Sequence, residues 1–509
     1  MTASATHADP RTGPVRVARP APRRLELSPA SRRLTSGTGP TGRATVGQVI
    51  GEVGQLVDDT DGHRIIRHRL RADDHAGNRL FLVLLFWGML ITSVALWAFD
   101  TAPGSVNTTA DIAIAGGRIT GMIAGFVLLT QVVLASRVAW LEQTVGGRVL
   151  MRWHRYLGSS LLVFVLAHAA LITYGYALSA KVPVTQQAVS MLALKDMVSA
   201  TVATGILIVV AFTAIKAIRK LVKYEIWHVM HMAAYAALVL GYGHQFALGA
   251  NLTDGFAYWY WSALYAGTVA ALLWGRVIDP AWFNLKHRLR VAEVVPEAPD
   301  TFSVYLTGRR LEQIEAKGGQ YFRWRFLNRA GWWQSHPFSL SMAPNGEFLR
   351  ITVAMAGDHT RELRNLRPGT AVLADGPSGT FTADHRVTGK ALLVAVGSGI
   401  GPIRAICEEM PTDTLMIYRA RTEADLALKK ELDDLAVTHG LRIRYVLGSR
   451  NDREPRELFT AAGLGRVVPD IAERDVYLCG PGEFSADLVA MLQRLRVPGA
   501  QIHQDPFSF

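Results

Sequence analysis

The sequence predicts a two-part chain: membrane α followed by soluble β/α. A six-helix transmembrane bundle leads into an antiparallel β-barrel and then a parallel α/β domain. Three observations carry this. Six apolar segments of membrane length, about 17–25 residues, fall between positions 80 and 274. Beyond about residue 290 short β-like runs are broken by turn residues, and from Ala391 strands alternate with helices. The composition lies between two solvents: of 509 residues half are hydrophobic, 19% are charged and mean hydropathy is +0.17, whereas a soluble domain is about 25% charged.

The divisions run 1–75, 76–278, 285–385 and 388–509. The first is a tail rich in Pro, Thr, Ser, Ala and Arg, with too little apolar surface to fold alone. No apolar core follows Met1, so no signal peptide is expected. The basic run His63–Arg71 reads as a solvated face beside the membrane. The expected spans are Leu80–Phe99, Ile112–Ser136, Trp153–Tyr176, Met197–Ala217, Glu225–Leu248 and Phe256–Trp274. Arg67, Arg69, Arg71 and Arg79 precede the first span, and the next loop, Asp100–Asp111, has no Lys or Arg. Basic residues return at Arg137–Arg155 and at Lys216–Lys223 and are absent from Gly249–Gly255. They reappear at Arg276–Arg290. This alternation places both termini in the cytoplasm. It also assigns much of the net charge of +12 to the inner face of a lipid bilayer, leaving no case for nucleic acid. Two cysteines are too few for a disulfide scaffold, a zinc ribbon or a cysteine-ligated cluster.

Four histidines lie at lipid depth, where ionisable residues are costly and usually functional: His154 and His168 in the third span, His231 and His244 in the fifth. These two spans run in the same direction, so His154 is level with His231 and His168 with His244. Fourteen residues separate the levels by about 21 Å. Two haem b groups, each held by two histidines, would stack across the bilayer, with their irons coordinatively full and suited to electron transfer. The fourteen-residue step keeps His154 and His168 within about 40° of one face. The thirteen-residue step from His231 to His244 misses by about 140°. That requires either a distortion near Gly241 and Gly243 or approach from different azimuths. His228, a rival to His231, fits no better at about 160°. Arg118, near the outer end of the second span, suits either snorkelling to headgroups or a charge beside the outer haem.

In the soluble half, His336-Pro337-Phe338-Ser339 joins an aromatic and a hydroxyl to a rigid proline, a set that suits an isoalloxazine edge and also suits an ordinary strand. Gly357-Asp358-His359-Thr360 offers N–H groups and a hydroxyl to a pyrophosphate, with Gly357 and Thr360 the candidate contacts. Gly376–Phe381 reads as a tight turn between subdomains. The strand Ala391–Val396 runs into Gly397-Ser398-Gly399-Ile400-Gly401-Pro402, a glycine loop opening a helix, with Pro402 where a third glycine of the dinucleotide fingerprint would fall. The next strand ends in Arg419 and Arg421 rather than an acid, which favours NADPH over NADH. Cys479-Gly480-Pro481 at a later strand tip is placed either to approach a nicotinamide or to pack the core, and Cys407 reads as core. The terminal Phe509 suits either a cover on a flavin face or a frayed end.

Taken in order, Arg-Trp-His154, His168, Tyr-Glu-Ile-Trp-His-Val-Met-His231, His244-Gln, HPFS, GDHT, GPSGTF, GSGIGP, YRAR, LCGPG and a terminal Phe resemble the ferric reductase and NADPH oxidase superfamily in its bacterial single-chain form, over residues 75–509. The resemblance implies a haem-binding bundle in the bacterial plasma membrane and a cytosolic dehydrogenase of ferredoxin–NADP reductase type. It implies His154/His231 at an inner haem and His168/His244 at an outer one, Phe338 and Ser339 on FAD, and Gly397, Gly399 and Gly401 on NADPH. It also implies Cys479 and Phe509 near the hydride path. Electrons would pass from NADPH through FAD and both haems to an acceptor outside, a ferric or cupric chelate or oxygen. The alternative is an electron donor for a partner protein. Arg118 resembles the arginine at the oxidases' oxygen-reducing site, but Ile172 stands where those enzymes carry a further histidine, which argues against dedicated superoxide production.

Overall fold

The computed structural model describes residues 77–249, 252, 255–328 and 331–507. The tail, the basic run and Phe509 lie outside them.

The bundle begins with α1 (Gly77–Asp100), in which twenty residues pass without a charge. Helix α2 (Thr109–Leu134) starts at a capping box: the Thr108 hydroxyl accepts from Asp111 N–H, and the Asp111 carboxylate accepts from Thr108 N–H. A short α3 (Ala139–Val145) follows, then the 34-residue α4 (Gly147–Ala180), α5 (Val184–Met191), α6 (Met197–Ala214), α7 (Lys216–Arg219), α8 (Tyr224–Leu248) and α9 (Gly255–Leu273). Among the described residues, five helices are long and apolar enough to cross a membrane. The fifth expected span, α8, has the length at 25 residues, but its histidines and Gln245 dilute its apolarity. It is one continuous α-helix, so the phase mismatch of His231 and His244 is met by departure in different directions and not by a break at Gly241 or Gly243.

Helix α2 carries Gly117, Gly121 and Gly125, one every four residues. A Cβ on Gly117 would come within 2.6 Å of Ile172, and one on Gly175 within 2.7 Å of Ile114. Small residues at this spacing let two apolar helices approach closely where no hydrophobic force drives them together. That approach brings α4 onto α2.

The expected break between residues 278 and 285 is absent. Helix α9 passes through a π turn (Trp274–Ile278) into α10 (Asp279–His287), and the whole run Gly255–His287 is helical. Its end is fixed on the soluble half by Asn284, whose side chain donates to Ala374 O and accepts from Ala374 N, both at 2.8 Å.

Six strands come next: β1 (Arg290–Ala298), β2 (Thr301–Thr307), β3 (Tyr321–Phe326), β4 (His336–Ser339), β5 (Leu349–Ala354) and β6 (Val372–Ser378). They form two antiparallel three-stranded sheets, ordered β1-β2-β5 and β4-β3-β6, joined by single bridges at Arg290–Ala371 and Leu340–Ile351. The period of two is visible in β3, where Phe322, Trp324 and Phe326 are buried between the outward Tyr321, Arg323 and Arg325. The expected tight turn at Gly376–Phe381 is corrected: Gly376, Pro377 and Ser378 finish β6, paired with β3 through Tyr321↔Ser378. The short α11 (Asp358–Glu362) precedes β6.

The last third is a parallel sheet of β7 (Ala391–Val396), β8 (Thr414–Ala420), β9 (Arg442–Leu447), β10 (Asp475–Pro481) and β11 (Ile502–Phe507), ordered β11-β10-β7-β8-β9. Every residue of β7 is buried, as expected for a central strand covered on both faces. Helices α12 (Ile400–Ile406), α13 (Lys429–His439), α14 (Arg453–Leu458), α15 (Ala461–Val467) and α16 (Gly482–Arg494) complete the order. Strand order reverses between β7 and β10, and the crevice outside their C-terminal ends is where such sheets bind ligands. A buried Arg350 on β5 pairs at 2.7 Å with Glu431 on α13, which also meets Arg404 on α12 and ties the two soluble parts together.

Candidate functional site

The four membrane histidines meet in two pairs. The ring centroids of His154 and His231 lie 5.9 Å apart, and those of His168 and His244 lie 6.2 Å apart. An iron bonded to two imidazole nitrogens at about 2 Å each places the ring centroids roughly 6 Å apart, so both pairs fit one bis-histidine haem. His228 is exposed and takes no part in either pair.

The two α4 histidines are also set in the tautomer an iron needs. His168 Nδ1 lies 2.7 Å from Gly117 O, and His154 Nδ1 lies 3.2 Å from Gln131 O. A carbonyl only accepts, so each Nδ1 carries the proton and each Nε2 keeps its lone pair for a metal. Gln131 holds His154 twice, since its side chain also donates to His154 O at 2.9 Å. On α8 the Nδ1 atoms of His231 and His244 are buried without a hydrogen-bond partner. Trp227 stacks on His231 at 5.0 Å and 18°.

At the end of the bundle far from the soluble half, Arg118 follows Gly117, the residue that anchors His168, and is half-buried. Ile172 fills its place with hydrocarbon against Gly117. Gln245, next to His244, lies against Gly125 and accepts from Tyr265 Oη at 2.7 Å.

In the soluble half, HPFS forms β4, hydrogen-bonded along β3. His336 stacks on Phe338 at 5.8 Å and 8°. Burial and then the charge of His359 hold the His336 pKa below its ordinary value. Phe338 is half-buried and Pro337 exposed, while Ser339 is buried with its hydroxyl 3.4 Å from Asp505. Burial lifts Asp505 above the usual carboxylate range, against the opposing pull of Arg148 and the Ser339 bond. Cys479 is fully buried, and its thiol donates to Asp505 O at 3.0 Å. Burial and then Asp505 push that thiol well above its ordinary value. Thr360 spends its hydroxyl on Gly357, donating to the carbonyl at 2.9 Å and accepting from the N–H at 3.0 Å.

The glycine loop sits at the β7–β10 crevice. Gly397 is exposed with φ +55, open on its Cβ side. Gly399 touches the β10 tip so closely that a Cβ would come within 2.1 Å of Cys479 O. Gly401 faces Ser341 and Thr352 across the boundary with the strand sheets, and Pro402 is buried in the first turn of α12. Gly480 and the exposed Pro481 lead into α16. Arg419 donates to Gly448 O at 3.3 Å, and its pKa is lowered by burial and then by Arg450. Arg421 is exposed beside it. Arg450 belongs to the same basic corner and was not singled out from the sequence. Cys407 is core, with burial pushing its thiol up to about 12.

The junction between bundle and soluble half was also not foreseen. Arg137 pairs with Asp375 at 2.9 Å, and Arg323 pairs with Glu142 at 3.2 Å and Asp375 at 3.7 Å. Burial alone would lower the Arg323 pKa, but Tyr321, Glu142 and Asp375 more than offset it and hold the pKa raised. A Cβ on Gly147 would lie 3.7 Å from Tyr321 Oη, and one on Gly146 3.7 Å from Thr380. The start of α4 therefore rests on the β3–β6 face, and His154 lies seven residues along, about 10 Å. No sequence signal links positions 142, 323 and 375. The sequence does carry the α2 glycine spacing.

Comparison with known families follows this layout. Residues 120–242 match the ferric reductase like transmembrane component, 288–381 an FAD-binding domain and 393–489 the oxidoreductase NAD-binding domain. The ferredoxin reductase component of a Mycolicibacterium smegmatis 3-ketosteroid-9-alpha-monooxygenase is 31% identical over 43% of this chain and 65% of its own length. A Mycobacterium tuberculosis NADPH oxidoreductase is 27% identical over 40% of this chain and 55% of its own length. The chain thus spans between about half and two thirds of these curated relatives. Among solved structures, the FAD/NAD-binding domain of a Vibrio cholerae nitric oxide dioxygenase is 22% identical with a TM-score of 0.37, over 44% of this chain and 99% of that one. A Neisseria gonorrhoeae ferredoxin NADP+ reductase is 18% identical with a TM-score of 0.37, over 43% of this chain and 98% of that one. This chain has the ferric reductase and NADPH oxidase-like architecture, a ferric reductase like transmembrane component followed by FAD-binding and NAD-binding oxidoreductase domains.

Proposed function

We propose that the protein is a plasma-membrane oxidoreductase that takes electrons from cytosolic NADPH and delivers them to a ferric or cupric chelate or to oxygen on the outer side. The observation that carries this is the line of sites along α4. Its first turn rests on the β3–β6 face, and two iron-sized histidine pairs follow at two levels.

Bound FAD would divide the two-electron donation of the nicotinamide into single electrons, and two bis-histidine haems would carry these singly across the bilayer. The chain's own residues do the rest. Phe338 and Ser339 present an aromatic face and a hydroxyl at the flavin edge, and that hydroxyl donates to Asp505, whose pKa is raised by burial. Gly397 leaves room for a pyrophosphate at the crevice, Gly399 lets the loop close on β10, and Gly401 lets α12 pack against Ser341 and Thr352. Arg419 and Arg421, with Arg450, form a basic corner suited to a 2′-phosphate. Cys479 packs beneath the hydride path. His154 and His168 are held with Nε2 free by Gln131 and Gly117. Arg118 supplies positive charge for an anionic chelate or a propionate at the outer level. The inward position of the dehydrogenase follows from the basic loops, which lie at the same end of the bundle as the junction.

The test is anaerobic reduction of the purified, cofactor-loaded chain by NADPH, followed by addition of ferric chelate, cupric chelate or oxygen. Rapid reoxidation of the haem bands by one of these at catalytic rates supports the reading. Full reduction with no reoxidation by any of them would reject a small-molecule acceptor.

A further inference from the structure

Asp196 stands at the N-cap of α6 yet does not cap it. Its φ is +58, and its side chain makes no capping bond. That backbone conformation is one Asp and Asn tolerate better than most residues. The carboxylate is instead directed at α8: its Cγ and Oδ2 would each lie 3.1 Å from a Cβ on Gly243, a tighter contact than most side chains make. The next residue is His244, whose Nδ1 is buried without a hydrogen-bond partner. Among the described residues the Asp196 carboxylate has no hydrogen-bond or ion-pair partner of its own. The neighbouring cation, Lys195, is exposed. At the other pair, Trp227 stacks on the face of His231.

We infer that Asp196 is a positioning residue that sets the outer centre apart from the inner one, lowering its reduction potential by placing a negative charge beside the axial ligand His244. The inference rests on the two-haem reading above. Its physics is simple. A carboxylate next to an imidazole ligand raises ligand basicity and favours the more positive, ferric state. In a half-buried site that effect is screened less than in water. Two centres with the same ligand chemistry become unequal, and the one facing the acceptor becomes the stronger reductant.

The experiment is a spectroelectrochemical titration of the full-length haem-loaded chain, with Asp196→Asn and Asp196→Glu beside the wild type. His168→Ala identifies the outer midpoint by removing it. Asparagine keeps the size and the backbone preference and removes only the charge. The expected result is two one-electron midpoints, the outer one raised in Asp196→Asn by about tenfold in the ferrous/ferric ratio, which is about 59 mV. Asp196→Glu should stay near wild type. An Asp196→Asn protein with full haem content and an unmoved outer midpoint, or with both midpoints raised equally, would overturn the inference while leaving the two-haem reading intact. A wild-type chain without a low-spin bis-histidine spectrum would overturn that reading and this inference together.

Discussion

The His168 ring lies on Gly121: a Cβ there would come within 2.6 Å of Nδ1 and 2.8 Å of Cε1. The glycine makes the room, and Gly117, one turn earlier, accepts a hydrogen bond from the ring's Nδ1–H through its carbonyl. The seat of the His168–His244 pair is thus built by α2 as much as by the helices that carry the histidines.

Gly121→Ala should expel the ring from this seat. Over-packing of this kind costs about 1–3 kcal/mol, and the loss of the Gly117 bond frees the tautomer. The haem-to-protein ratio of the purified variant should fall from two toward one, with the inner centre retained. A ratio of two with an unchanged spectrum would mean that α2 does not shape the site.

Arg323 binds Glu142 of the bundle and Asp375 of the strand sheets at once. Arg323→Gln should leave both carboxylates without their shared partner and loosen the junction. Displacement by about 1 Å can cost about a hundredfold in a step that depends on position. The expected outcome is haem reduction slowed at least about tenfold, while NADPH-driven reduction of a soluble dye is little changed. Equal loss of both rates would place Arg323 in the flavin chemistry instead of the junction.

Replacing Arg419 and Arg421 together with Gln should remove the preference for NADPH. A lost charge-assisted bond is worth about 1.5–3 kcal/mol, so KM for NADPH should rise at least about tenfold while KM for NADH stays nearly fixed. Parallel changes for both nucleotides would show that the arginines do not read the 2′-phosphate.

Because burial lifts the Asp505 carboxyl, the folded state favours its protonated form. Stability from this group is therefore complete below the ordinary carboxylate value and is lost as pH rises through the raised value. The rate of flavin reduction by NADPH should fall over that same rise, and Asp505→Asn should remove this limb of the pH profile. A limb that persists in the variant would assign it to another group.

What could be read from the sequence followed from how local the signal was. Apolar length revealed the helices, and intramembrane histidines revealed the pairs, because each is a property of one segment. The strands Thr301–Thr307 and Leu349–Ala354 fall in the stretch of short β-like runs expected beyond residue 290. The junction did not show, because Glu142, Arg323 and Asp375 come together only after three segments fold. Asp505 carries no signal of its own in the sequence; only the pairing of β11 with β10 sets it beside Cys479 and Ser339. The phase arithmetic for His231 and His244 left a distortion or different azimuths open, and the unbroken α8 selects the second. The α2 glycine spacing was legible, but its purpose required knowing that His168 would lie upon it.

The central claim is that two histidine pairs hold two haems in series. The most direct measurement is the reduced-minus-oxidised spectrum and haem content of the purified full-length chain, compared with His168→Ala. The account predicts two low-spin bis-histidine haems per wild-type chain and one, with the inner midpoint, in His168→Ala. A wild-type chain without haem, or a variant that keeps both, would contradict it.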